Sequence, residues 1–278
     1  MALRRFFVDS VAAAGDAGHA GNGGMHAVSL SADDFHHMVH VVRIGVGERV
    51  ELVVRDSWLV FEATVTAISD AIEPSVTVVD LSQVPARGLT FDLELYFGIA
   101  KGDTSETVVR MATELGVSAI VPFMSSRSVV RLDEKRASAR GERFRAIAAA
   151  AVKQSHRGGM VRVDAPVPFA SVPAMVAEAD LVFVAWEESS ENTLSTGVVS
   201  AGSILRNVSA TRRPRVAVVI GPEGGLSAGE VAALAAAGGL TVTLGPTILR
   251  VDTAAAAALA VAAESVATVL GANAEEGV

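Results

Sequence analysis

The run Gly221-Pro222-Glu223-Gly224-Gly225-Leu226-Ser227 sets three glycines, a proline and a carboxylate between an apolar, β-branched segment and a helical one. Glycines at this density let a backbone approach a ligand closely. Glu223 offers a carboxylate to a hydroxyl or a cation. A second loop, Leu244-Gly245-Pro246-Thr247-Ile248-Leu249-Arg250, repeats the arrangement, strand before and helix after. Arg250 is the arginine best placed for function, the alternative being a structural ion pair. In an open α/β sheet, ligands bind at the carboxyl ends of strands. The two loops therefore describe one composite small-ligand pocket. It is not a Walker loop, because no Gly-Lys-Ser/Thr follows, and its glycine spacing is not the dinucleotide fingerprint.

Other groups carry chemistry too. Lys101-Gly102-Asp103 follows an apolar strand and suits either an anionic group or an ordinary turn. Between Arg127 and Arg162, ten basic residues face three acidic ones, so the segment is net +7 inside a chain of net −8. Such asymmetry is the footprint of a polyanion site. A solvated helix face is the simpler account of 135–145 alone. The continuation into Gln154-Ser155-His156-Arg157-Gly158-Gly159, where a helix ends, turns the reading towards phosphate. His36 and His40 stand one helical turn apart, but two histidines without a third ligand make a weak metal site, and no metal is expected. The chain has no cysteine, which removes disulfides and thiolate chemistry.

These groups need a scaffold. With 278 residues, half of them hydrophobic, the chain is long enough for two domains. Residues 1–82 read as a small β-rich barrel or sandwich. Its strands are expected at 4–8, 27–30, 48–54, 58–68 and 75–81, with a loop over 12–24 and turns at 55–57 and 70–74. One helix opens at Ser31, carries Asp33 and Asp34 in its first turn, buries Phe35, Met38, Val39 and Val42, and stops at Gly45 and Gly47. Residues 83–278 begin with a linker over 83–88 and then alternate strand and helix, which means a mostly parallel sheet covered on both faces. Ser227 and Glu230 have capping-box spacing. Residues 189–209, rich in small and polar types, read as a mobile surface segment. The run 254–270 is long and apolar, but Glu264, Ser265 and its alanines make it a buried amphipathic helix rather than a membrane span. Asp9 cuts the first apolar stretch too early for a signal peptide. A soluble, cytoplasmic chain is expected.

At these residues the sequence resembles a known family. Gly-Pro-Glu-Gly-Gly-Leu-Ser at 221–227 and Leu-Gly-Pro-x-Ile-Leu-Arg-x-x-Thr-Ala at 244–254 are similar to the signature of the 16S ribosomal RNA uridine-N3 methyltransferases, of the SPOUT class. Arg4-Arg5-Phe6 and 37–43 resemble the N-terminal RNA-binding domain of that family. Lys101-Gly102-Asp103, Glu114-Leu115-Gly116-Val117, Ser126-Arg127-Ser128 and Gln154-Ser155-x-Arg157 resemble its middle motifs. Departures stand at Thr247, where the family usually has arginine, at Val251-Asp252 for Thr-Glu, at Lys153 for glutamate, and at Gly158-Gly159 for Asn-Arg.

The resemblance implies an α/β, SPOUT-type knotted, mostly parallel sheet behind a smaller PUA-like β-barrel. It implies S-adenosylmethionine as methyl donor and N3 of one uridine in 16S ribosomal RNA, free or in the small subunit, as acceptor. It also implies a homodimer. Ile220, Gly221, Pro222, Glu223, Gly224, Leu244, Gly245, Ile248, Leu249, Arg250 and Thr253 would hold the donor. Arg250 would also stabilise the anion that develops on the base. Arg4, Arg5, Arg43, Lys101, Arg127, Gln154 and Arg157 would contact RNA. The alternatives are another SPOUT enzyme, acting on a ribose 2′-hydroxyl or a different base, and a non-catalytic RNA-binding assembly protein.

Overall fold

The computed structural model describes residues 3–13, 24–55, 59–70, 75–84, 88–155, 157, 159–189 and 192–271. Trp58, His156, Gly158, most of the expected 12–24 loop and of the 55–57 and 70–74 turns, and 85–87 of the 83–88 linker lie outside them. The chain divides into two units, Met1–Gly88 with Val152–Met160, and Leu89–Ala151 with Val161–Val278. A continuous split at 82/83 does not foresee that a later segment returns to the first unit.

The first unit is one six-stranded sheet, in the order β1-β4-β5-β6-β3-β2. The strands are β1 (Arg4–Val8), β2 (Ser10–Ala13), β3 (His26–Ser29), β4 (Arg49–Val54), β5 (Val60–Ser69) and β6 (Ser75–Val84). β1 pairs with β4 in parallel and the other pairs are antiparallel. The edge strands β1 and β2 are separated in the chain by Asp9 alone, so the sheet must curl until its two edges meet at that residue. Phe6, Val8, Val50, Leu52, Val65, Val76 and Val78 fill its interior. The expected helix is α1 (Ala32–His36), which widens into a π-helical stretch at His37–Val41. Phe35 and Met38 from this helix close the core. The Ser31 hydroxyl accepts the Asp34 amide, as its position predicts. The helix stops before the glycines, at Arg43, with φ +58°.

Asp34 is buried and takes three partners: the Ser31 hydroxyl at 2.5 Å, Lys153 Nζ at 3.1 Å, and the Arg55 guanidinium. Burial alone would raise its carboxyl, but Ser31, Lys153 and Arg55 together hold it below the ordinary carboxylate value. Arg5 is equally internal. Its side chain is 2% exposed and grips Glu51 through two hydrogen bonds of 2.9 and 2.6 Å, and it also donates to the Arg157 carbonyl.

The second unit follows the strand–helix alternation. In chain order it contains β7 (Asp92–Gly98), α2 (Thr104–Glu114), β8 (Ala119–Met124), α3 (Glu134–Ser155), β9 (Arg162–Val163), β10 (Val167–Pro168) and α4 (Val172–Val176). Then come β11 (Leu181–Ala185), α5 (Leu194–Ser200), α6 (Gly202–Ser209), β12 (Arg215–Ile220), α7 (Ala228–Ala236), β13 (Gly239–Val242) and α8 (Val251–Gly271). The last turn of α3 belongs to the first unit. The sheet order is β10-β8-β7-β12-β11-β13, with β9 beside β8, and every pair is parallel. Strands covered on both faces read as unbroken apolar runs. Leu93, Leu95, Phe97, Val182, Phe183, Val184 and Val216–Val219 of this kind are all buried.

One expectation fails here. Within the expected mobile segment 189–209, residues 194–200 and 202–209 form α5 and α6, which bury Leu194, Val198 and Leu205. Their small residues serve close packing. A Cβ on Gly197 would stand 2.8 Å from the Phe183 ring. Both helices pack on α8, which also meets α2, β7 and β12. α8 is long and apolar enough to cross a membrane by length and composition, yet Ala254, Ala255, Ala258, Leu259, Ala262 and Val266 are buried within this unit.

At the carboxyl end of the sheet, Glu230 joins two loops. The capping box is complete: the Ser227 hydroxyl accepts the Glu230 amide, and the Glu230 carboxylate accepts the Ser227 amide at 2.8 Å. The same carboxylate accepts the Ser126 amide at 2.8 Å and the Ser125 hydroxyl at 3.1 Å, both beyond β8. Burial opposes its charge, but these donors outweigh burial and hold the carboxyl below its usual value.

Two stability outcomes follow from these carboxylates. Asp34→Asn leaves Arg55 and Lys153 facing a neutral amide and costs about 3 kcal/mol at neutral pH. The folded carboxyl is depressed, so its contribution is full above about pH 4 and vanishes as pH falls through the folded value. Urea midpoints of parent and variant therefore converge in acid. Glu230→Ala strips acceptors from two backbone amides and costs about 2–4 kcal/mol. A calorimetric melting scan of that variant at neutral pH checks it.

Candidate functional site

The middle strands of the sheet define the site. β11 lies between β12 and β13, and Ala185 is level with both Ile220 and Val242. The loops after these three strands therefore leave the sheet at one height and face one another. A cavity of about 470 Å³ opens among them. That volume is typical of small-molecule sites.

The loop after β12 is a tight turn in which the Gly225 amide donates to the Pro222 carbonyl at 2.8 Å. Gly225 has φ +68°, a conformation that L side chains avoid. The turn is seated on β7: a Cβ on Gly98 would fall 2.4 Å from Pro222. Glu223 Oε1 accepts the Lys101 amide at 2.8 Å and so fastens the turn to the loop after β7. Arg127 holds the other side, its guanidinium donating to the Gly224 carbonyl at 3.1 Å.

The loop after β13 forms the opposite wall. The Thr243 hydroxyl accepts the Gly245 amide at 3.2 Å and donates to the Gly245 carbonyl at 3.1 Å. Ile248 is 89% exposed. The guanidinium of Arg250 makes no hydrogen bond or ion pair with any described residue and lies on the cavity wall. Such a group is free to meet a ligand.

Of the residues expected to hold a donor, Gly221, Pro222, Glu223, Leu244, Gly245, Ile248, Leu249 and Arg250 line the cavity. Ile220, Gly224 and Thr253 do not. Ile220 is buried at the strand end. Gly224 faces Arg127, whose Cβ would lie 3.2 Å from a Cβ there, so it admits that arginine rather than a ligand. Thr253 is exposed, and its amide donates to Asp252 Oδ1 at 2.9 Å. The loop sequences did not point to Thr104, Trp186 or Glu187, which also line the cavity. Trp186 and Glu187 have no motif of their own; only the strand order reveals them.

The RNA candidates divide by burial. Arg4, Arg43, Lys101, Arg127 and Gln154 are exposed. Arg5 and Arg157 are corrections. Arg5 is enclosed by Glu51 and the Arg157 carbonyl, and Arg157 is 5% exposed, where burial pushes its guanidinium down to about 10. Both build the first unit and do not face solvent. Much of the basic stripe also has work inside the chain. Arg131 donates to the Ser125 and Ser126 carbonyls, Arg143 pairs with Glu106 at 2.6 Å, and Arg145 donates to the Val163 carbonyl. Among the described residues, no group of three His, Cys, Asp or Glu is placed to hold a metal ion.

Residues 87–263 match the RNA methyltransferase domain, and residues 30–78 match the RNA methyltransferase PUA domain. Ribosomal RNA small subunit methyltransferase E of Bacillus subtilis is 34% identical over 226 residues, 81% of this chain and 85% of that protein. A Legionella pneumophila protein described as a methyltransferase, crystallised in complex with the bound cofactor SAM, superposes with a TM-score of 0.71 at 25% identity, covering 94% of this chain and 97% of that one. Ribosomal RNA small subunit methyltransferase E of Neisseria gonorrhoeae, bound to S-adenosyl methionine, shares the fold with a TM-score of 0.68 at 24% identity, over 93% and 96% of the two chains. The chain belongs to the RNA methyltransferase family of small-subunit ribosomal RNA methyltransferase E, of the SPOUT class, with a PUA-like domain at its N-terminal end.

Proposed function

We propose that this protein transfers a methyl group from S-adenosylmethionine to N3 of one uridine in 16S ribosomal RNA, acts as a homodimer, and works in the cytoplasm. The observation that carries the reading is the cavity between the two glycine loops, with the Arg250 guanidinium, unpaired among the described residues, on its wall. The donor set fits a sulfonium nucleoside. Leu244, Leu249, Leu226 and Trp186 give apolar surface, the Gly221, Gly225 and Gly245 backbone allows close approach, and Glu223 and Asp252 put negative charge near a cationic ligand.

When bound, S-adenosylmethionine supplies a methyl group on a good leaving group. The chain's own task is then largely positioning, since in-line displacement rewards alignment of donor and acceptor. The first loop, held by Glu223, Arg127 and Glu230, and the second, pinned by the Thr243 hydroxyl, keep that alignment without reorganising. Uridine N3 carries a proton at neutral pH, and its loss spreads negative charge onto the flanking carbonyl oxygens. The Arg250 guanidinium is the donor available for that charge. The base must leave its stack to reach a cavity of this depth. Exposed Arg4, Arg43, Lys101, Arg127 and Gln154 are the groups offered to flanking RNA. The 89% exposed Ile248 beside the cavity supports a subunit boundary near the site, as the resemblance implies.

Mass mapping of 16S ribosomal RNA from a deletion strain tests the assignment: one N3-methyluridine is expected to disappear, and an unchanged modification pattern rejects it. Arg250→Ala is expected to fold normally and to lower the single-turnover methylation rate by about 10²-fold or more. A rate within a few-fold of the parent assigns Arg250 to structure.

A further inference from the structure

The anion at N3 requires somewhere for the proton to go. Among the described residues no histidine lines the cavity, and the chain's single tyrosine, Tyr96, is buried against Glu94. The acceptors on the wall are three carboxylates, Glu187, Glu223 and Asp252. Two of them already serve backbone amides: Glu223 takes that of Lys101, and Asp252 that of Thr253. Glu187 makes no hydrogen bond or ion pair with any described residue.

Its position follows from the sheet. Glu187 stands two residues beyond Ala185, at the end of β11, the strand between β12 and β13. One glycine loop lies on each side of it. Its Oε1 is 2.6 Å from the point a Cβ on residue 225 would occupy. Gly225 thus does two things: it adopts a left-handed turn and leaves the volume into which this carboxylate extends. A side chain there would drive Glu187 out of the space between the loops. The other charged groups around the cavity are Glu223, Asp252 and Arg250.

We infer that Glu187 is the catalytic base that takes the N3 proton of the target uridine, an assignment that rests on uridine N3 being the acceptor atom. The N3–H bond breaks and its proton passes to a Glu187 oxygen. The nitrogen pair forms the N–CH3 bond as the S–CH3 bond of the methyl donor breaks, leaving its electron pair on sulfur. The neutral Glu187 acid returns its proton to water after the product departs. Glu187 and Arg250 then divide the reaction, one accepting the proton and the other stabilising the charge it leaves.

The test uses small ribosomal subunits from cells lacking the enzyme. The parent protein is first assayed with nucleoside mass spectrometry, and a methylated product other than N3-methyluridine overturns the acceptor reading and this assignment with it. With N3-methyluridine as product, Glu187→Gln is expected to lower the single-turnover rate by about 10²–10⁴-fold, the usual contribution of general-base catalysis. Its calorimetric affinity for S-adenosylhomocysteine and its melting temperature are expected to stay near those of the parent. Glu187→Asp, which keeps the carboxylate on a shorter arm, retains part of the rate. On subunits from the same cells grown with 5-fluorouracil, whose target N3–H is more acidic, the deficit of Glu187→Gln shrinks. A Glu187→Gln rate within a few-fold of the parent overturns the assignment while leaving the N3 reading intact. So does weakened S-adenosylhomocysteine binding in a folded variant, which makes Glu187 a donor ligand, or an equal deficit on the fluorinated substrate.

Discussion

The buried carboxylate of Glu230 is the contact on which the working end of the sheet depends. It closes the cap of α7 and reaches across to the loop after β8. That loop carries Arg127, which holds the Gly224 carbonyl. A residue legible as a routine helix cap therefore also sets the position of the glycine turn, through a short relay of hydrogen bonds. A turn with this many glycines has little conformational preference of its own. Its shape has to be imposed from outside, by Glu230 and Arg127 on one flank and by the Lys101 amide on Glu223 on the other. Enzymes that work by alignment need such supports, because a loose donor loop forfeits the gain from proximity.

The same economy governs the arginines. A chain of net −8 with a local excess of basic residues invites the view that the excess is there for a polyanion. Much of it is architecture. Arg131 closes the Ser125–Ser126 turn, Arg145 ties α3 to β9, and Arg5 is locked between Glu51 and Arg157. Local charge density does not separate a guanidinium that bonds a carbonyl from one that waits for a phosphate. Burial and partner lists do. What stays exposed is a smaller set, in both units, and Arg127 belongs to it while also holding the Gly224 carbonyl.

The order and type of most elements were readable in the sequence, because parallel strands covered on both faces are continuous apolar runs and their caps are local signals; the two-residue strands β9 and β10 were not. Misreadings arose where the signal was not local. Residues 189–209 read as a mobile surface segment because glycine, serine and threonine are poor helix formers, yet tertiary contact with Phe183 and α8 makes α5 and α6 of Leu194–Ser200 and Gly202–Ser209. The strand β2 looked like loop, being four residues whose pairing with β3 depends on barrel closure. At the site, both glycine loops were recognisable from composition, and most of their expected residues do line the cavity. Trp186 and Glu187 were not, since nothing in their own segment says that β11 lies between β12 and β13. Strand order is a long-range property, and the middle wall of the pocket is its product.

The departures from the family pattern have different physical standing. Lys153 is explained: its ammonium lies 3.1 Å from the buried Asp34 carboxylate, where a glutamate would set like charge against like and weaken the Ser31 cap. Asp252 is explained too, since an acid in the first turn of α8 suits the helix dipole and its Oδ1 takes the Thr253 amide. Thr247 is of another kind. It is exposed on the cavity wall, so its shorter side chain removes positive charge from the pocket without disturbing the fold. Arg250 is then the one cation on that wall among the described residues, so the proposed stabilisation of developing negative charge rests on it alone.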